Sequence, residues 1–530
     1  MHATILLALW GLAALAIWKV ASMIVAKRQH AARAKELGCQ EAPEYPNQGI
    51  LGWNQIKDMQ AADKGQRFPD LMIERQARMS AIHGRECSTF KFHLLGQELY
   101  FTSDPKNIQA LLATKFDDYY LGPSRRGNMI VTLGDGIFVQ DGKQWEHSRA
   151  MLRPNFVRDQ VSDLDLEEHH VQDLLRVMPV QSNGWTDETD IQKLFFRLTI
   201  DSACEFLFGE SLDTQMKEAG LAPRDEATHV DFAKHFDNAT LHLAKRFRFG
   251  DNYWLHNPKE FKEDNKLVNQ FMAHYVDLAL KKGTTAEKKA EEGHGKEKYV
   301  FLEALAQQTQ DPVELRAQML NILLAGRDTT ASLLSWLFHE LLRNPEVFTK
   351  LRQTILDTFG TYDDPHDISF ATLKGCQYLQ YCLNETLRVW PTVPGNGRRS
   401  NKPTVLPRGG GPDGESPIYI KKDVEINYAV HVMHRRKDIW GEDANEFKPE
   451  RFASRRPGWE YLPFNGGPRI CIGQQFALTE ASYVVVRLLQ KFDKIEPGKH
   501  ELEGEYVRSN LSLTNAPGKP VTLYMHEAKQ

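Results

Sequence analysis

The sequence predicts a mainly α-helical chain with small β-sheets, carried on an N-terminal transmembrane helix. Three observations predict it. Ala3 to Ala26 is apolar except for one strongly polar residue, Lys19, which matches the ~20 residues that cross a bilayer. From about residue 140 to 350 the pattern is mostly helical, and its longest run opens at Asp311-Pro312 and continues to about Arg343. Strand-like segments are few and short, with one group near the start and another after residue 390. The 530 residues are 41% hydrophobic and 26% charged, an ordinary globular composition. A net charge of −4 gives no footprint for nucleic acid. The six cysteines (Cys39, Cys87, Cys204, Cys376, Cys382, Cys471) are scattered, which suits a reducing compartment better than a disulfide framework.

In chain order, the apolar run has no Lys or Arg ahead of it, and Lys27, Arg28, Arg33 and Lys35 follow it. That charge order predicts an uncleaved signal anchor with everything after residue 26 in the cytosol. Pro43 and Pro46 then stiffen a non-helical link. The expected organisation is a transmembrane anchor at 1–26, a basic and proline-containing linker at 27–48, and a single domain at 49–530. Thr89–Leu95 and Leu99–Thr102, around Gly96-Gln97-Glu98, read as a hairpin, and Asp104-Pro105 as a helix start. Gly283 to Lys298 has no core-forming residue beyond alanine and reads as a surface loop. Pro407 to Gly414 reads as a second loop between strands. Helices are expected over Leu379 to Trp390 and from Gln474 to Leu489.

The most informative stretch is Phe464 to Gly473. Phe464, Gly467, Arg469, Cys471 and Gly473 stand at F-x-x-G-x-R-x-C-x-G spacing. Gly467 and Gly473 permit sharp turns and close backbone approach, and the helix that follows places N–H groups and a dipole near sulfur. This loop resembles the haem-binding loop of the cytochrome P450 family. The resemblance implies the cytochrome P450 fold and haem b (iron protoporphyrin IX) as cofactor. It implies Cys471 as the thiolate ligand of iron, and Phe464, Arg469 and Gly473 as cofactor-binding residues, with Arg469 a cation for a haem propionate.

Three further motifs agree. Ala325-Gly-Arg-Asp-Thr-Thr330 resembles the family's oxygen-activating A-G-x-D-T-T. The small pair leaves room for dioxygen, and the Thr329 alcohol beside the Asp328 acid can relay protons. Glu385-Thr-Leu-Arg388 puts an acid and a base on one helix face. By resemblance it is the E-x-x-R pair which, with Arg451, locks the core. Trp145-Glu-His-Ser-Arg149 resembles W-x-x-x-R, which makes Trp145 and Arg149 propionate candidates, with Arg398 a further one. His339-Glu340 begins like a zinc H-E-x-x-H, but Arg343 occupies the second histidine position.

Wider stretches, among them Leu133 to Phe138, Arg149 to Phe156, Glu205 to Gly209 and Leu406 to Gly414, are similar to the fungal microsomal group that hydroxylates n-alkanes and fatty acids. The resemblance then implies a monooxygenase in the endoplasmic reticulum membrane, single-pass and facing the cytosol. Its partners would be O2, NADPH–cytochrome P450 reductase, membrane lipid and a long lipophilic substrate oxidised at or near its end. Family placement puts Phe138, Phe236, Ala325, Val393 and Leu511 along the substrate channel; Arg125 or Arg126 is a separate candidate cation for a substrate carboxylate. The alternatives are a monooxygenase of other lipophilic or secondary metabolites, a reductase-independent haem-thiolate peroxygenase or isomerase, a haem sensor, and a membrane-tethered interaction protein.

Overall fold

The computed structural model describes residues 2–156, 164–221, 232–289, 299–499, 501 and 507–529. It forms two compact units. The first comprises residues 1–53, 75–120 and 397–428, and the second 54–74, 121–396 and 429–530.

The first unit opens with helix α1 (His2–Glu36). An apolar window within Thr4–Glu36 reaches a mean hydropathy of 1.9 and is not buried against protein. The helix runs ten residues past the expected linker boundary, because Ala, Arg, Lys and Glu favour helix and Arg33 and Lys35 complement the dipole of its last turn. Gly38, at φ 67°, follows its end. The unit's sheet contains β1 (Thr89–Leu94), β2 (Gln97–Thr102), β3 (Tyr119–Tyr120), β4 (Asn396–Ser400) and, after the hairpin β5 (Thr404–Gly410) and β6 (Ser416–Ile420), β7 (Glu425–Tyr428). Its strand order is β1-β2-β7-β4-β3. β1 and β2 pair antiparallel from Thr89 opposite Thr102 to Leu94 opposite Gln97, as the hairpin pattern predicts. Asp104 caps the short helix after β2, accepting from the amides of Lys106 and Asn107.

The second unit is mainly helical. Its main helices are α2 (Gly142–Leu152), α3 (Leu164–Arg176), α4 (Ile191–Phe208), α5 (Phe232–Phe247), α6 (Lys259–Lys289), α7 (Pro312–Arg343), α8 (Gln377–Val389) and α9 (Gln474–Lys491). α6 continues to Lys289, inside the stretch expected to be loop. The Glu-, Lys- and Ala-rich sequence there carries enough helix propensity to override Gly283, and the remainder of that stretch, 290–298, lies outside the described residues. α7 starts where the sequence predicts. Asp311 accepts from the Val313 amide, Pro312 sits at the first helical position, and Pro345 begins the next helix. α3, α4, α7 and α9 pack as a bundle around an apolar core that includes Phe195, Leu198, Leu334, Phe338, Val485 and Leu488.

Candidate active site

The site is built in the second unit from the Phe464–Gly473 loop, helix α2 and the middle of α7. The loop's turn is closed by two backbone bonds. The amide of Cys471 donates to the carbonyl of Phe464 at 3.0 Å, and that of Ile470 to Gly467 at 3.0 Å. Gly467 has φ 68°, the left-handed region that glycine enters without strain. Gly473 does not have that role. Its φ is −89° at the N-cap of α9, and a Cβ there would stand in ordinary contact, 3.7 Å from Phe156. The sterically required glycine is one the motif did not flag, Gly466, where a Cβ would come within 2.8 Å of the Trp459 ring.

Cys471 is exposed, yet burial pushes its thiol pKa up, while the Gly473 amide and the Arg149 charge pull the other way. Both observations describe a thiol surrounded by protein whose free surface faces a cavity. That cavity is about 950 Å³ and is lined by Trp145, Arg149, Phe156, Ile470, Cys471 and Ile472, among others.

Trp145 and Arg149 sit one turn apart on α2 and face the loop. Nη1 of Arg149 donates to the carbonyl of Ile470 at 3.0 Å. The Trp145 indole, 6% exposed, lies between two cations: its ring centroid is 4.4 Å from the Arg469 guanidinium and 5.8 Å from that of Arg149. Nη2 of Arg469 also donates to Asp141 Oδ1 at 2.9 Å and to the Gln140 carbonyl at 3.0 Å. Gln140 accepts from the Ser148 hydroxyl, and Ser148 accepts from Gln318 of α7 at 2.6 Å. The structure therefore brings Trp145, Arg149, Arg469 and Cys471 together. Arg398 lies on β4 in the first unit, where Nη1 donates to the Gly397 carbonyl and the guanidinium lies over Tyr428.

From Ala317 to Leu342, α7 is buried except at Ala325, Gly326 and Thr329. These three share a helix face, so one stripe of the central helix is uncovered. The Thr329 hydroxyl donates to the carbonyl of Ala325 at 2.7 Å. Asp328 is buried, which raises its carboxyl pKa to about 6, with Arg327 holding it back and Asp237 pushing it further up. Neither Arg327 nor Asp237 stands out from the sequence motifs. The buried Arg327 guanidinium bonds both carboxylate oxygens of Asp237 on α5, one at 3.0 Å, and stands 3.3 Å from Asp328. An arginine in the interior of an apolar helix was the available signal.

Of the expected channel residues, Phe138 is half-buried and pinned beside α7. Its amide donates to Asn321, one turn before Ala325, at 3.0 Å. Val393 is 36% exposed and Leu511 half-buried, its carbonyl accepting from Arg248. Phe236 departs from the expectation. It is 0% exposed and stacked on Phe232 of the same helix, so its ring presents no free surface to a channel. The guanidinium of Arg126 pairs with Asp135, and that of Arg125 bonds the Phe138 carbonyl and Asn396.

Glu385 and Arg388 are both 0% exposed on α8. Arg388 donates to Glu385 at 2.7 and 2.8 Å, and to the carbonyls of His434, Ala444 and Glu446. Arg451 reaches Glu385 at 3.4 Å and Asp443 at 2.9 Å. The buried donors of Arg388 are satisfied by backbone carbonyls, and the second arginine instead balances the carboxylate.

Among the described residues one cluster has metal-type ligands, His169, His170 and Glu205. Nε2 of His170 lies 2.8 Å from Glu205. The two imidazoles stack at 5.2 Å with 23° between planes.

Comparison with known proteins agrees with this geometry. The chain matches the family described as Cytochrome P450 over residues 72–520. It is 51% identical over 515 residues to the cytochrome P450 monooxygenase g430 of Fusarium sp, covering 96% of this chain and 88% of that protein. It is 42% identical to the cytochrome P450 monooxygenase alt2 of Alternaria solani, covering 98% and 97%. It is 48% identical to cytochrome P450 52A1 of Candida tropicalis, covering 83% and 81%. The cysteine loop, the opened stripe of α7 and these matches together place the chain in the cytochrome P450 family, as a cytochrome P450 monooxygenase.

Proposed function

We propose that this monooxygenase hydroxylates long-chain n-alkanes or fatty acids at or near the terminal carbon. It uses O2 and electrons passed from NADPH by NADPH–cytochrome P450 reductase, at the cytosolic face of the endoplasmic reticulum membrane. The observation that carries the reading is the uncovered stripe Ala325, Gly326 and Thr329 on α7, with Phe138 fixed beside it at Asn321. A small, mostly apolar face of this kind suits a hydrocarbon end and no bulky polar group. The resemblance of the wider stretches to the alkane- and fatty-acid-hydroxylating group supports the same substrate class. The exposed apolar helix α1 supports the membrane placement.

Cytochrome P450s carry haem iron, and the residues present fit haem b. Cys471 turns its free surface into the cavity with apolar Phe156, Ile470 and Ile472 around it. Arg149 and Arg469 flank the Trp145 indole at one side, a donor set that suits two carboxylate arms. When bound, the haem supplies dioxygen binding and the oxidising chemistry, with a thiolate ligand favouring O–O cleavage. The remaining work belongs to the chain. The Gly473 amide and Arg149 favour charge on sulfur. Asp237, half-exposed, leads through buried Arg327 to Asp328, a line of polar groups running inward from the surface. Asp328, with its carboxyl near 6, holds and releases a proton close to neutral pH. The Thr329 hydroxyl, next along the helix, has lone pairs to take that proton and an O–H to pass on. The apolar walls exclude water and hold the substrate end.

A second reading is oxidation of another lipophilic metabolite. Product analysis with a panel of alkanes and fatty acids, in membranes with reductase and NADPH, separates the two. Terminal or near-terminal alcohols are the expected products. Haem-loaded enzyme that turns over none of the panel, while oxidising other lipophiles, overturns the first reading.

A further inference from the structure

Behind the uncovered stripe, each helix of the bundle contributes one buried polar side chain to a common spot: Glu167 from α3, Ser202 from α4, Thr330 from α7 and Glu480 from α9. The Ser202 hydroxyl donates to Glu167 Oε1 at 3.0 Å. The Glu480 carboxyl lies beside the hydroxyls of Ser202 and Thr330, while its Oε2 and the Thr330 Oγ1 make no hydrogen bond.

Burial without a donor sets the protonation. A hydroxyl has one proton to give. The Ser202 proton goes to Glu167, which leaves the buried Glu480 carboxyl without a hydrogen bond at Oε2, and such a group favours its neutral form. The neighbouring charges do not relieve it. Glu168 on α3 is bound by Arg487 and Tyr483 of α9. Asp328 on α7 lies against Arg327. Glu205 on α4 lies against His170 of α3, and Asp201 on α4 accepts from the Thr214 and Gln215 amides. Two ionised carboxylates sharing one hydroxyl in an apolar bundle are strongly disfavoured.

We propose that Glu167, Ser202, Glu480 and Thr330 hold one shared proton, and that this protonated carboxyl pair is a positioning device that fixes α9, the helix that begins just after Cys471, against the turn of α7 that carries Thr329. The positioning role rests on the proposed oxygen-side function of that turn; the shared proton does not. Burial independently pushes the Glu480 carboxyl up to about 8, with the hydroxyls of Thr330 and Ser202 holding it back. Folded protein therefore binds a proton that unfolded protein loses near ordinary carboxyl pH. The folded-to-unfolded ratio falls up to about tenfold per pH unit from roughly 4.5 to 8 on account of this group.

Infrared spectroscopy of the full-length, haem-loaded enzyme tests the proton directly. The expected result is a protonated-carboxyl carbonyl band at pH 7 that titrates away near 8 and is lost in Glu480→Gln, in Glu167→Gln or in both. Absence of the band in the wild type, or its persistence unchanged in both variants, overturns the shared proton. The positioning role is read from coupling, the product formed per NADPH consumed. Glu480→Gln, an isostere of the protonated acid, is expected to match the wild type at pH 6 and to exceed it at pH 9. Glu480→Ala is expected to stay low at both. Identical alkaline loss in the wild type and Glu480→Gln overturns the positioning role, and the infrared result stands or falls separately.

Discussion

Asp237→Asn tests whether Asp328 delivers protons, because Asp237 acts on that carboxyl without forming part of the site's wall. The Asp237 and Asp328 carboxylates approach the same Arg327 nitrogen, Nη1. Asp237 raises the Asp328 pKa by repulsion, and burial and Asp237 together outweigh the opposing pull of Arg327 to leave it at about 6. At an effective dielectric of about 20 and a separation of about 6 Å, two negative charges repel by about 3 kcal/mol. Asp237 is 51% exposed, and solvent screening reduces this to about 1 kcal/mol, or roughly 0.7 of a pH unit. Removing the Asp237 charge also frees Arg327 to favour ionised Asp328, which has the same sign. With its carboxyl at about 6, Asp328 is protonated in about one molecule in ten at pH 7, and the substitution cuts that fraction about fivefold. Coupling measured from about pH 5.5 to 8 should therefore lose its alkaline limb roughly 0.7 of a unit earlier, with haem content unchanged. A profile superimposable on the wild type, or displaced upward, would refute Asp328 as the titrating donor.

Three further outcomes are expected. Thr329→Ala removes the hydroxyl that donates to Ala325; product per NADPH should fall by about tenfold or more with peroxide rising, and unchanged coupling would remove Thr329 from the relay. Glu385→Ala strips the fully buried Arg388 of two bonds at 2.7 and 2.8 Å, a loss of about 3–5 kcal/mol, so the melting temperature and retained haem should both drop, and an unaltered melt would count against the locking role. Deleting residues 2–36 removes the apolar helix, and the truncated chain should leave the membrane fraction; retention there would show that α1 is not the principal anchor.

Much of this architecture was legible because short-range chemistry decided it. Asp311-Pro312 and Pro345 bracket α7 through caps that need no tertiary context, and the hairpin register follows from Gly96 between two alternating runs. α1 outlasts the expected membrane-spanning segment because Ala, Arg and Lys favour helix. α6 ran on into an expected loop for the same reason. At the site, spacing identified residues whose partners are near in sequence or fixed by a motif, such as Cys471, Trp145 with Arg149, and Glu385 with Arg388. It did not reveal what depends on distant helices meeting. Asp237 reaches Arg327 across 90 residues, Gly466 matters only because Trp459 packs on it, and the Glu167–Glu480 cluster draws one residue from each of four helices. Phe236 shows the converse limit, since an apolar residue near a channel in sequence terms was placed by packing into the core.

The measurement that tests the account most directly is the spectrum of the reduced carbon monoxide complex of the wild type and Cys471→Ala, each prepared full-length in membranes. The wild type is expected to show the long-wavelength Soret band for which the family is named, and Cys471→Ala to lose it. A wild type without that band, or a variant that keeps it, would contradict Cys471 as the ligand on which the site's whole arrangement turns.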